Sequence, residues 1–422
     1  MKYIIGVIIG LVILMNAGCQ KKTEEKVTIK VSYWAGGDEQ VGPIIGEMLQ
    51  REFPDINVKM EIVPWSAYKQ KILTEVAGGS ASDIVMFYLG DFSAELFRKD
   101  ICMNLEPLIK GDKEFNLDKY FPGIIDACRY KGNIFGLPLS TFPEASIFYN
   151  KALFRKAGVP FPADEWGWND FLEKAQKLTL RDEKGEIIQY GFGAAVWRNF
   201  MYSNGGDEVD NFKAPEKSTL DSQATKDALQ FYVDLVHKYK VAPPYYEQYQ
   251  GAIDPVKMFM EGRLAMFNTI LPLGKSFKNI EWDIVRFPKG PRMKEYDGVV
   301  CGTIGYAILK TTRHPDEAWQ VLKFLTGDIG QMEYAKAVWG VPVIREVAEK
   351  WLQDSERFSN KKWLLKELDY GKSFVLHPKY HGEIYQKIII PALYYVIVEG
   401  TKPVDEALVE IIPKINQALK DE

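Results

Sequence analysis

The stretch from Val27 to Gly90 most constrains what this chain can fold into. "VTIKVSYW", starting at Val27, alternates apolar and polar residues, the period of a strand with one buried face. After "AGGDE", residues Val41, Ile44, Ile45, Met48, Leu49 and Phe53 recur at helical spacing and mark one buried helix face. "INVKMEIV" alternates again, and "WSAYKQKILTEVAGG" predicts a helix with a glycine stop. "DIVMFYLG" is a nearly continuous apolar run, as expected of a parallel strand covered on both faces. A β-α-β-α-β succession within about sixty residues predicts an α/β fold, an open mostly parallel sheet flanked by helices.

In such sheets ligands bind outside the carboxyl ends of the strands. Here those ends are Trp34 to Glu39, Pro64 to Trp65 and Phe87 to Asp91. The chain has neither G-x-G-x-x-G nor G-x-x-x-x-G-K, so "AGGDE" does not predict a nucleotide site. At 422 residues the chain exceeds what one core serves, and two domains are expected. After Gly136, "GLPLSTFPEASIFYNK" has two prolines and no helical period, and reads as an extended crossing into the second domain. Beyond it, "EWGWNDFLEKAQKLT", "SQATKDALQFYVDLVHKY", "DPVKMFMEGRLAMF" and "HPDEAWQVLKFLTG" predict helices, and "EWDIVRFP" and "GTIGYAILK" predict strands. In "PVDEALVEIIPKINQAL", Pro413 is expected to kink or divide the last helix.

The N-terminus reads "MKYIIGVIIGLVILMNAGCQKK". Lys2 precedes an apolar core from Tyr3 to Met15, too short to span a bilayer as a helix. Ala17 and Gly18 before Cys19 look like a lipoprotein signal, so residues 1–18 are expected to be removed and Cys19 to carry lipid. "QKKTEEK" then reads as a tether, residues 19–26. The mature body would be extracytoplasmic and held at a membrane surface through that lipid. The formal net charge is −4 with no basic block, which argues against nucleic acid. Of the three cysteines left after Cys19, Cys102 and Cys128 form a disulfide or else Cys102, Cys128 and Cys301 are three small buried hydrophobes; the second reading is preferred.

Several segments together resemble the bacterial extracellular solute-binding proteins of family 1, the carbohydrate-binding, maltose-binding-protein-like components of ABC importers. They are "GLPLSTFPEASIFYNKALFRKAGV", "EWGWNDFLEKAQKLT", "MFMEGRLAMF", "GTIGYAILKTTRHPDEAWQVLKFLTG" and "VDEALVEIIPKINQAL", in the family's order. The resemblance implies a two-lobed periplasmic-binding-protein fold of type II, with hinge strands between the lobes and a cleft that closes on sugar. The N-terminal lobe would take residues 27–140 and 301–342, and the C-terminal lobe 141–300 and 343–422. It implies a monomer that binds carbohydrate without cofactor or metal and meets the permease subunits of the importer directly and its ATPase indirectly. "FYNKALFRKAGV" then enters the second lobe, with Phe148 in the core.

A sugar site needs rings for the apolar CH faces and polar groups for the hydroxyls. Position on the predicted strand ends selects Trp34, Asp38, Glu39, Trp65, Tyr88 and Asp91. The plainer readings are helix-start acids for Asp38 and Glu39, and packing on its own helix for Trp65. The resemblance adds Glu144 at the hinge, Trp197, Arg198 and Asn204 around "NGG", and Trp339 where the chain recrosses. Where the family commonly has a Trp after Ala-Met, this chain has Asn268 and Thr269, one stacking contact fewer.

Other classes fit less well. His377 and His381 are separated by Pro378, with no H-E-x-x-H, and there is no G-x-S-x-G. A polyamine, peptide or metal chelate is the alternative solute, and a glycan-active enzyme the more distant one.

Overall fold

The computed structural model describes residues 26–35, 41–143, 146–193, 197–244, 254–293, 301–354, 362–370 and 374–420. Its strands are β1 (Val27–Ala35), β2 (Ile56–Pro64), β3 (Ile84–Tyr88), β4 (Arg129–Tyr130), β5 (Asn133–Ile134), β6 (Leu137–Pro143), β7 (Ser146–Asn150), β8 (Leu180–Arg181), β9 (Ile187–Gly193), β10 (Leu264–Asn268), β11 (Trp282–Arg286), β12 (Cys301–Ile308) and β13 (Val341–Pro342). They form one sheet in the order β13-β6-β12-β3-β1-β2, a second in the order β11-β7-β10-β9-β8, and a β4-β5 hairpin.

The parallel part is the one the periodicity predicts. β1 runs parallel to β2 over all nine residues, Val27 opposite Ile56, and parallel to β3 on its other side. Ile84, Val85, Met86 and Phe87 are all buried, as their unbroken apolar run requires. Beyond β3 the sheet is not parallel: β12, β6 and β13 pair antiparallel. The second sheet is mixed too, parallel only between β9 and β10. The reason is connectivity. A strand that crosses between the two sheets pairs beside a neighbour running the other way, with no helical return to keep it parallel.

The passage between sheets is short. β6 ends at Pro143 and β7 starts at Ser146. Cys301 and Val341 pair with Pro143 and Thr141, so β6, β12 and β13 lie side by side. In the "FYNKALFRKAGV" segment, Asn150 caps helix Lys151–Lys156, its Oδ1 accepting from the Ala152 and Leu153 amides at 3.1 and 3.2 Å. Phe148 is fully buried, against Phe277 and Trp282.

Two apolar cores hold the layers together. The first surrounds sheet one and reaches across to Phe148, Phe267 and Trp282 on the second sheet and to Phe259 and Phe277 beside it. The other lies among helices Trp168–Leu178, Gln223–His237, Ile390–Ile397 and Val404–Lys420. The sequence division puts residues from 343 onward in the second lobe. Val347, Trp351, Trp363 and Leu368 nevertheless pack in the first core, and Val375 and Tyr380 are in the second. Helix Val404–Lys420 runs undivided through Pro413. Pro413 is on the exposed side, and Val409, whose carbonyl loses its partner, is 71% exposed, so water can take that bond. Cys102 and Cys128 are buried free thiols, and burial pushes both thiol pKa values up.

Residues Tyr380–Ile389 form a π-helix that continues into Ile390–Ile397. Pro391 supplies a cause: it has no N–H to donate, and its ring opposes the carbonyl of Lys387, so a wider turn upstream relieves the clash.

Candidate functional site

A cavity of about 310 Å³ opens between the two bodies. Trp65, Tyr88 and Gly90 line it from the first, and Arg198, Glu208, Phe374, Tyr380 and His381 from the other.

The first wall is aromatic. β2 passes directly into helix Trp65–Gly78, so Trp65 stands at a strand's carboxyl end. Its ring lies 5.0 Å from Trp34 and 5.1 Å from Tyr88, centroid to centroid. Trp34 is buried and meets Tyr68 and Tyr88 edge-on. Tyr68, itself buried, reaches the carbonyls of Ser32 and Met86 at 2.9 and 3.0 Å, tying the cluster to β1 and β3. Trp65 is the most open of these rings, 51% exposed, and Tyr88 is half-buried. Gly90 turns the chain from β3 into helix Asp91–Arg98 at φ 143, which favours glycine, and a Cβ there would lie 3.6 Å from Phe374.

The opposite wall is polar. Arg198 rises from the first turn of helix Trp197–Ser203 and is 8% exposed. Its guanidinium lies 4.3 Å from the Tyr385 ring centre and 5.8 Å from that of Phe374. Glu208, 1% exposed, follows the "NGG" loop, and its Oε1 is 3.7 Å from Arg198 Nη1. Tyr202 donates its hydroxyl to Glu208 Oε2. The Tyr380 hydroxyl lies beside the same carboxylate. Burial first, and then the nearby Glu208 carboxylate, pushes the hydroxyl pKa values of Tyr202 and Tyr380 well above the ordinary range.

Of the residues proposed from sequence, Trp65, Tyr88 and Arg198 line the cavity, and Trp34 backs its aromatic wall. Trp197 is packed inside the second core, 1% exposed. Asn204 is buried; its Nδ2 donates to the Ala224 carbonyl and its Oδ1 accepts from the Arg292 amide, so both ends of its amide brace loops. Trp339 ends helix Asp328–Val338 at φ 63 and packs near Trp282, outside the cavity's described lining. Asp91 opens helix Asp91–Arg98, and its side chain lies outside the described residues, as do Asp38, Glu39, Glu144 and Cys19. Asn268 serves the fold: it accepts from Asn199 and donates to the Ser146 carbonyl, each at 2.9 Å.

Glu208, Phe374, Tyr380 and His381 were not among the candidates. Glu208 had a signal, an acid just after the "NGG" already under suspicion. Tyr380 and His381 had none, because a π-helix leaves no distinctive apolar period. Among the described residues no group of three or more His, Cys, Asp or Glu could hold a metal, and no helix is long and apolar enough to cross a membrane.

The sequence profile of the family described as "bacterial extracellular solute-binding protein" matches residues 22–332. The chain belongs to that family. A Brucella abortus chain provisionally named a binding protein is 25% identical to this solute-binding protein over 365 residues, covering 82% of it and 83% of the relative. The fold matches an ABC substrate-binding protein from Listeria monocytogenes, solved in complex with cycloalternan, with a TM-score of 0.79, 22% identity, and coverage of 94% and 100% of the two chains. It also matches the sugar-binding protein MalE from Xanthomonas citri, with a TM-score of 0.77, 18% identity, and coverage of 93% and 97%. Membership makes this an extracytoplasmic solute-binding protein with the two-lobed α/β fold of periplasmic sugar-binding proteins.

Proposed function

We propose that the protein captures a sugar in the cavity between its lobes and delivers it to the permease of an ABC importer. The observation that carries this reading is the pairing of walls. A half-exposed Trp65, set by Trp34 and Tyr88, faces a buried carboxylate and guanidinium across about 310 Å³. Such a cavity offers a ring to the CH face of a pyranose and hydrogen-bonding groups to its edge. The volume is at the small end of the ~300–1,000 Å³ typical of ligand pockets, which suits one or two sugar rings rather than a long chain. The Listeria relative's complex with cycloalternan supports the class of ligand.

In this reading the lobes are hinged at β6, β12 and β13, the chain works as a monomer, and lipid on Cys19 holds it at the membrane. Asp38, Glu39, Asp91 and Glu144 remain candidates for further contacts. The test is a thermal-shift screen of the purified full chain in detergent against mono- and disaccharides, with polyamines and short peptides beside them. A ligand at a hundred times its Kd adds about 2.7 kcal/mol. Stabilisation by a sugar is expected; stabilisation by a polyamine or peptide alone would overturn the sugar reading while leaving solute binding in place.

A further inference from the structure

Tyr380–Ile389 is a π-helix of ten residues, whereas π turns mostly come singly, and often at functional sites. The Ile384 amide donates to the Lys379 carbonyl, five residues back, at 3.0 Å, and the Ile390 amide donates to the Tyr385 carbonyl. Burial along the segment recurs in steps of four to five: Tyr380, then Ile384 and Tyr385, then Ile389 and Ile390. The three isoleucines at 388–390 hide that spacing in the sequence. Beyond Pro391 the buried residues are Leu393, Val396 and Ile397, the ordinary spacing of an α-helix.

This register decides what reaches the cavity. An α-helix turns roughly 100° per residue, so from a buried Ile389 it would carry Tyr380, nine residues earlier, to the opposite face. A ladder bonded five residues back turns roughly 82° per residue and brings Tyr380 to within about 20° of Ile389. His381 differs between the two registers by roughly 140°. Both residues line the cavity, and the Tyr380 hydroxyl lies beside the Glu208 carboxylate. Tyr385 belongs to the same wall: the Arg198 guanidinium is 4.3 Å from its ring centre, and the His381 ring stacks on it at 5.8 Å. Two features select the π register. One is the buried spacing, since an α-helix would turn Ile384 to solvent and Gln386 to the core. The other is Pro391, which offers no N–H to the Lys387 carbonyl.

We propose that the π register of residues 380–389 is a positioning device of the binding site, with Ile384 and Pro391 as positioning residues that lie outside the cavity's described lining and hold Tyr380 and His381 against the ligand. This rests on the cavity being the sugar site.

The test is Ile384→Gln/Gln386→Ile/Pro391→Ala, which gives the segment an α-helical apolar spacing and returns the missing N–H. The full chain is titrated in detergent, by calorimetry, with glucose, galactose, mannose, maltose, lactose and cellobiose. Register is read separately and without ligand, from the rate at which tetranitromethane nitrates Tyr380, mapped by mass spectrometry. Tyr395, 50% exposed, is the internal reference, and Tyr380, 4% exposed, should react slowly in the parent. In the triple variant, shown to be folded by its melting curve, Tyr380 should react at least about 10-fold faster, and the sugar that binds the parent should bind at least about 10-fold more weakly. In Tyr380→Leu/His381→Ala, where those contacts are already gone, the same three changes should weaken the sugar less than about threefold further, a non-additivity that a merely structural role would not produce. Gln386→Ile/Pro391→Ala leaves Ile384 in place, should move both readouts the same way by a smaller factor, and carries the test if the triple variant does not fold. Tyr380 freed while the sugar binds within about twofold of the parent would overturn this inference and leave the sugar reading intact. So would weaker binding with Tyr380 still protected, or no change in either readout. A parent that binds none of the sugars would overturn the sugar reading and this inference with it.

Discussion

Trp34 and Trp65 touch each other, yet substituting them should have opposite consequences. Trp34 is 8% exposed and meets three other rings within 6.2 Å, so Trp34→Ala removes packing. Large aromatic-to-alanine changes in cores cost about 3–5 kcal/mol. Trp65 is 51% exposed. A Trp side chain has on the order of 250 Å² to bury, so roughly 125 Å² of Trp65 remains open. A sugar face covering half of that removes about 60 Å² from water, which at ~25 cal/mol per Å² is about 1.5 kcal/mol, a tenfold change in Kd. Trp65→Ala should therefore bind the stabilising sugar about tenfold more weakly while losing less thermal stability than Trp34→Ala. Titration calorimetry and a melting curve on both variants separate the two effects. If Trp65→Ala binds within twofold of the parent while its melting temperature drops as far as that of Trp34→Ala, then Trp65 is a packing residue. The aromatic wall would then not be the ligand's platform.

Other substitutions probe the frame. Gly191→Ala would put a Cβ 1.9 Å from the Ala175 carbonyl oxygen, where β9 lies on helix Trp168–Leu178; a loss of about 1–3 kcal/mol by chemical denaturation is expected. Tyr202→Phe strips the buried Glu208 carboxylate of a donor and should cost about 1–3 kcal/mol in the same assay, unlike a conservative surface change. The Lys323 ammonium, 2.5 Å from the Asp112 carboxylate, holds that carboxyl's pKa down to about 2 against the burial that would raise it, with the Trp319 indole N–H donating as well. A depressed carboxyl stabilises the fold above its unfolded pKa, near ~4, and loses that contribution as pH falls through its folded value. Lys323→Met should remove this acid-side step, and at neutral pH cost on the order of 1 kcal/mol once solvent screening is allowed for. A variant whose stability falls between pH 4 and 2 just as the parent's does would exclude the pair as the cause.

The parts of the fold legible in the sequence were those set by local periodicity. Val27 to Gly90 declared its strands and helices because each buries a face defined within one element. The antiparallel place of β12 was not legible, since pairing over such a separation depends on the rest of the sheet and not on the strand's own residues. For the site, Trp65 and Tyr88 could be found because a parallel strand delivers its last residue to the ligand side. Trp197 and Arg198 could not be told apart in advance. Neighbours on a helix point about 100° apart, so one enters the core and the other the cavity, and only packing decides which. Glu208 follows the "NGG" that drew attention in the sequence, but its burial beside Tyr202 and Arg198 depends on tertiary packing.

Strand β12 sits between β6 and β3 in space but follows β6 by about 160 residues in the chain. At roughly 5–20 residues per second, a ribosome makes β6 some 10–30 s before it finishes β12. Throughout that interval β3 has no partner on one side, and β6 has nothing to join it to the rest of its sheet. A bare edge of this kind pairs readily with other chains, so the unfinished protein is open to aggregation. The delay also has a use: a chain that cannot complete its first sheet early stays threadable, as export from the cytoplasm demands. Truncations ending before Cys301 should for the same reason yield insoluble chains and not a free-standing first lobe.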